Sequence, residues 1–142
     1  MFEFWKRRKE RKAYLQIYEN LMQTITIWNL ETFPDATQDG QKMKLWEEMD
    51  EFEAEDTMSG KMKELADVFI VLAGLRRWND KEARQIEKRI LKHTNNIALS
   101  DLLDAMFEKM IVNMSRKWVK QGDGRFHHTE TPPKKKKPTK KK

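Results

Sequence analysis

Residues 61–78 read KMKELADVFIVLAGLRRW, and the fold turns on them. From Val68 to Ala73 every side chain is apolar. A helix over this stretch has no polar face and must be buried on most sides. The run is also far shorter than the ~20 residues a membrane span needs. The flanking sequence supplies helices to surround it. Upstream, Tyr14, Ile17, Tyr18, Leu21, Met22, Ile25 and Trp28 follow the i, i+3, i+4 rhythm of one helical face. Ile25-Thr26-Ile27 alternates as a strand would, yet it continues that stripe. Phe33-Pro34-Asp35 then breaks the pattern, because proline excludes helix at the preceding residue.

A second helix is expected over Gln41–Glu55, with Leu45, Met49 and Phe52 inward, and Asp56–Gly60 forms a polar turn before the third helix, Lys61–Trp78. Asn79 followed by Glu82 has the form of an N-cap and its partner. The fourth helix it opens has the stripe Ala83, Ile86, Ile90 and Ile97, with His93 at the core edge. Ser100 is the expected cap of a fifth, with Leu103, Met106, Met110, Met114 and Trp118 inward and Gly122-Asp123-Gly124 at its end. Short connections favour antiparallel neighbours. The expected fold is all-α, a small bundle of about five helices. Its third helix is so apolar that a second copy is expected to complete the cover, as small domains often require.

The chain has 142 residues, enough for one domain. It contains no cysteine, which excludes a disulfide scaffold, a thiolate nucleophile and a cysteine-ligated metal. With five Gly and four Pro it does not resemble a turn-rich β protein. The start, MFEFWKRRKERK, lacks the apolar region of a secretory signal, so a cytoplasmic protein without membrane contact is expected. Charge is unevenly spread. Residues 1–12 carry a net +4, residues 13–133 a net −5, and residues 134–142 (KKKKPTKKK) seven lysines and no acid. We therefore divide the chain into a basic segment 1–12, a domain 13–128 and a Lys-rich tail 129–142. The tail is expected to be disordered. It has no aromatic to stack on bases, so its reach extends to weak, non-specific nucleic-acid contact.

The chemistry lies in helices two and three. Glu48, Glu51 and Glu55 stand at i, i+3 and i+7, within about 60° of one another around a helix. Glu47 is at their edge, and Lys44 shares the face. The apolar stripe runs beside them, so these acids border the core. Burying them there costs several kcal/mol unless a cation intervenes. Glu64 and Asp67 stand at i, i+3 one turn before the apolar segment. Carboxylate pairs on adjacent antiparallel helices suit hard cations, Mg²⁺ or Mn²⁺ in preference to Zn²⁺. The competing account is a solvated acidic face, with Glu64 and Asp67 merely complementing the helix dipole.

The order Glu47-Glu48-Met49-Asp50-Glu51, then Glu64-Leu65-Ala66-Asp67 and the apolar run after it, resembles the EExxE…ExxD signature of MazG-like, all-α nucleoside triphosphate pyrophosphohydrolases. Lys109-Met110-Ile111-Val112-Asn113-Met114-Ser115-Arg116 is similar to the KMxxNxxR pattern of short members. The resemblance covers roughly residues 28–128. It implies that Glu48, Glu51, Glu64 and Asp67 bind Mg²⁺, that Glu47, Glu48 and Glu51 serve catalysis, and that Lys109, Asn113 and Arg116 hold the substrate. The reaction implied converts a dNTP or NTP to the monophosphate plus pyrophosphate. The enzyme would be a homodimer or dimer of dimers, in the cytoplasm of a bacterial or phage-infected cell. Trp28 would stack on the base, although a tryptophan at helical spacing is ordinarily core. The segment Asp123-Gly124-Arg125-Phe126-His127-His128 stands where full-length MazG proteins have an HPHVF-like ending. It resembles compact, phage-type members, so substrate preference does not carry over. Neither Ser100 nor Ser115 has a base nearby to make it a nucleophile. The alternative is a non-enzymatic helical module whose basic tail engages nucleic acid or an acidic partner.

Overall fold

A computed structural model describes residues 2–120 and 126–128; the side chains of Lys120, Phe126 and His127 lie outside the description. The described residues form five α-helices: α1 (Phe2–Thr32), α2 (Gln38–Ala54), α3 (Met58–Leu75), α4 (Lys81–Lys92) and α5 (Asn96–Met114). A 3₁₀ turn, Arg76–Trp78, follows α3, and a short antiparallel hairpin pairs β1 (Trp118–Lys120) with β2 (Phe126–His128). Gly122-Asp123-Gly124 and the Lys-rich tail lie outside the described residues, but helix five ends before that expected close, at Met114.

The apolar helix α3 is the axis of the bundle. It packs against α1, α2, α4 and α5, and every residue from Val68 to Leu75 is buried. The cover expected from a second copy is thus supplied within the chain. Phe69 meets Tyr18 of α1 edge to face, with ring centroids 5.8 Å apart, over a core that includes Met22, Ile25, Leu45, Leu72, Leu99 and Met106. Each such side chain contributes roughly 1.5–3 kcal/mol by leaving water. At Gly74, α3 lies against Asn29 of α1. A Cβ there would lie 2.8 Å from Asn29 Nδ2, so only glycine admits the buried Asn29 side chain. Beside it, Thr26 Oγ1 donates to Ala73 O at 2.8 Å. No helix among the described residues is long and apolar enough to cross a membrane.

Caps set the helix starts, and here several expectations are corrected. The side chains of Thr37, Thr57, Asp80 and Asn95 accept from the amides of Gly40, Gly60, Ala83 and Ala98 at 2.8–3.0 Å. Each satisfies an orphan donor of the first turn. Helices α2 and α3 consequently begin three residues earlier than expected. Asp80, not Asn79, caps α4. Asn79 instead has φ 53° and closes the 3₁₀ turn, its amide donating to Arg76 O. Asn95 caps α5, so Ser100 lies inside that helix and Ile97 belongs to α5, where it is exposed. His93 is the exposed C-cap of α4. Ile17 and Met114 are also largely exposed, against the stripes that placed them inward.

Two polar contacts tie the periphery to the bundle. Lys42 bridges Asp80 (3.4 Å) and Glu82 (2.8 Å), joining α2 to α4. Burial alone would raise the Asp80 carboxyl. The Ala83 amide, Gln38 and Lys42 outweigh it and hold the group below its ordinary value. On the other side, Tyr18 donates to Glu87, and Arg76 pairs with both Glu87 and Glu19. Burial, with Glu87 beside it, pushes the Tyr18 phenol well above its usual range.

Helix α5 stops at Met114 instead of continuing to Trp118. Ser115 Oγ donates to Val112 O, and Trp118 folds back so that its Nε1 donates to Asn113 O at 3.1 Å. These bonds occupy terminal carbonyls that a longer helix would have paired. Trp118 then starts the hairpin.

Candidate metal and anion site

Helices α2 and α3 form an antiparallel pair, and their acids converge. A carboxylate oxygen from each of Glu48, Glu51 and Glu64 lies within 4.8 Å of the other two. Glu48 is 7% exposed and Glu64 4%, whereas Glu51 is half-buried. Lys44, one turn before Glu48, stands 3.3 Å from Glu48 Oε2. Like charges this close repel, the more so away from water. Three carboxylate oxygens around one point can supply part of the oxygen shell of a hard divalent cation, water completing the rest. The donor set therefore fits Mg²⁺ or Mn²⁺.

The remaining acids of the two motifs go elsewhere. Asp67, one turn beyond Glu64, accepts from Lys109 Nζ at 3.0 Å and so stands beside the triad, tied to α5. Glu47 is exposed and outside the triad. Glu55, which shares the Glu48/Glu51 face by spacing, lies at the end of α2, where Oε1 accepts from the Asp56 amide at 3.3 Å. Its carboxyl group crowds Gly60, where a Cβ would come within 2.3 Å of Glu55 Cδ.

Glu48 opens into a cleft of about 440 Å³ between α1, α2, α3 and α5. That volume lies within the range of small-molecule sites. One wall is acidic, through Glu48 and Asp67. The α5 side brings Lys109, Asn113 and Arg116 together with one acid, Glu108, and Lys44 and Lys63 also line the cleft. Lys109, Asn113 and Arg116 all reach the same cleft, as the i, i+4, i+7 spacing requires of one helical face, although Arg116 sits just past the helix end. Arg116 Nε is shielded from water and has no hydrogen-bond partner among the described residues.

The far end of the cleft is aromatic. Trp28, at the core edge, packs edge to face on Phe33 (5.3 Å) and Trp118 (6.3 Å), and Trp118 in turn meets Phe33 (5.3 Å) and His128 (5.6 Å). Trp28 thus belongs to the packing and lines the cleft as well. Two buried carboxamides, Asn29 and Gln41, also border this end. Sequence spacing singled out none of Phe33, Asn29, Gln41, Lys63 or Trp118 for the site. Only Lys63, next to Glu64, had a local signal: a cation beside an acid pair. His128 lines this site, and the His127 side chain lies outside the described residues. Compared with protein-family models, with curated proteins and with solved structures, the chain shows no match.

Proposed function

We propose that this protein is an Mg²⁺-dependent nucleoside triphosphate pyrophosphohydrolase of the MazG-like type, acting on a dNTP or NTP. The observation that carries the reading is a triad of carboxylates, Glu48, Glu51 and Glu64, that reaches through Glu48 a cleft of nucleotide size lined by Lys109, Asn113 and Arg116. An acidic wall alone would repel a triphosphate. A cationic wall alone would bind one without a means of cleaving it. Together they describe a site for a metal-bound polyphosphate.

In this reading Glu48, Glu51 and Glu64 hold Mg²⁺, with Asp67 alongside. The ion, when bound, polarises the α-phosphate and lowers the pKa of a bound water. Lys109 and Arg116 bind phosphate oxygens, Arg116 being able to do so bidentately. Lys109 is now paired with Asp67, so an incoming phosphate competes for it. Asn113 contacts sugar or phosphate, and Trp28 and its neighbours pack against the base. Glu47, adjacent to Glu48, orients a water or ligand. Water adds to the α-phosphorus, the α–β phosphoanhydride breaks, and pyrophosphate leaves. The proton of the water passes to a site carboxylate. In this reading the enzyme works in the cytoplasm of a bacterial or phage-infected cell, as the resemblance to compact family members implies.

A homodimer accompanies this proposal for a new reason. Phe107, Ile111 and Met114 stand at i, i+4, i+7 on α5 and leave an exposed apolar stripe, Ile111 being 72% accessible. A second copy is our proposed cover.

Incubation with each dNTP and NTP in Mg²⁺, with products resolved by ion-exchange chromatography, tests the reaction. The expected products are a monophosphate and pyrophosphate, lost in Glu48→Gln and in Asp67→Asn with the helical circular dichroism intact. Absence of turnover with every nucleotide, in Mg²⁺ and in Mn²⁺, would overturn the proposal.

A further inference from the structure

The first turns of α1 contribute nothing to the bundle's core. Phe2 to Glu10 are exposed without exception, and the hydrophobic cluster begins only at Tyr14. Yet this end of the helix is fixed in place. Arg11 donates to Leu91 O at 2.7 Å and to Thr94 O, at the end of α4, and Asn96 Nδ2 donates to Arg7 O at 3.1 Å. A helix that packs so little and is held so firmly needs an account of its outward face.

That face has a distinct composition. At 100° per residue, Phe4, Trp5, Arg8, Lys9, Lys12 and Leu15 fall on one side, and the acids Glu3 and Glu10 fall on the opposite one. The basic and aromatic residues interleave. Arg8 lies 5.7 Å from the centre of the Phe4 ring, and Lys9 lies 5.7 Å from that of Trp5. Both rings remain open to solvent, Phe4 at 52% and Trp5 at 61%. Between Trp5 and Leu15, with Phe4 outside its lining, runs a shallow groove of about 550 Å³ whose charged lining is wholly cationic.

We propose that this face of α1 binds single-stranded nucleic acid. Arg8, Lys9 and Lys12 meet the phosphates, and unpaired bases stack on Trp5 and Phe4. Stacking on aromatics within a cationic groove is how strands are held without sequence preference. A helix lying in a membrane surface has the opposite design, with cations on one face and apolar residues on the other. Here the two kinds share a face, and its reverse carries the acids Glu3 and Glu10 flanked by Lys6 and Arg7. A duplex presents phosphates but no free base faces, so it engages the cations alone. The proposal is independent of the cleft.

The test is fluorescence anisotropy of a labelled oligothymidylate with the full-length protein across a salt series. The three phosphate contacts of α1 contribute about −2 to the slope of log affinity against log salt. Trp5→Ala is expected to weaken binding about 5- to 150-fold, and Phe4→Ala to act in the same direction. Both substitutions leave charge unchanged, and residues 134–142 hold no aromatic, so a loss reports on α1 and not on the lysine tail. Both side chains are exposed, and circular dichroism checks that the bundle is intact. A duplex of the same length should bind more weakly and be indifferent to Trp5→Ala. Equal affinity of wild type and both aromatic variants would overturn the proposal. So would tighter binding to phosphatidylserine vesicles than to the oligonucleotide, which would make the face a lipid surface.

Discussion

Glu64 is the most buried acid of the site, one turn before the apolar run that starts at Val68, and its surroundings are the strictest test of a cation. If Glu48, Glu51 and Glu64 converge on a metal, the site is under repulsive load without it. Glu64→Gln should therefore melt higher than wild type in EDTA, since it removes one charge from a cluster within 4.8 Å. It should also lose the Mg²⁺ response of the melting temperature. For wild type, saturation at a hundred times Kd corresponds to about 2.7 kcal/mol, or roughly 10 °C for a domain of this size. Differential scanning fluorimetry over a Mg²⁺ series reads both. Second-sphere groups around metals already cost 10–100-fold when removed, so kcat/KM of Glu64→Gln should fall by about 100-fold or more. A wild-type melting temperature indifferent to Mg²⁺ and Mn²⁺ would instead favour the non-enzymatic module.

At the scale of the helix, capping decides boundaries, and Asp80 has the most partners of the caps. Asp80→Ala should lower stability by about 0.5–2 kcal/mol near neutral pH. The pH dependence has a definite sign. The folded carboxyl is held below its ordinary value of 3.8, so its contribution is complete above that pH. It is lost as pH falls from there through the lower folded value. Urea titrations of the two proteins should diverge at pH 7 and draw together in strong acid. This cap also shows where the sequence ceases to be readable. Asn79 and Asp80 are both good N-caps, and only the left-handed backbone of Asn79, imposed by the end of α3, decides between them. Ser100 and Asn95 pose the same choice. Periodicity placed α2, α3 and the acids on them, because spacing alone determines a helical face. Phe33, Trp118 and His128 come together from three separate stretches, and nothing local announces the hairpin that delivers the last two. Nor could spacing show that Asp67 would meet Lys109, 42 residues away.

For the whole molecule, the apolar character of α3 led to the expectation of a partner, but the monomer itself buries the apolar run Val68–Leu75. The exposed stripe Phe107, Ile111 and Met114 takes over as the reason to expect one. Ile111→Asp should convert a dimer to a monomer in light scattering coupled to size exclusion. A wild type that is already monomeric would discard the stripe as an interface. The basic surface at the start of α1 and the cleft residues Trp28 and Asn29 near its end lie on one helix of 31 residues, about 46 Å long.

The contact between Asn29 and Gly74 reaches beyond this one sequence. A methyl group at position 74 would press on a buried amide that is itself held by Arg77, 3.2 Å from Asn29 Oδ1. Neither side can yield alone. When homologous chains are aligned, positions 29 and 74 should therefore change as a pair, a larger residue at 74 appearing with a smaller one at 29. Gly60 offers the control. The neighbour that a methyl group would strike there is the far end of the flexible Glu55 side chain, which can swing aside, so position 60 should drift without a compensating change.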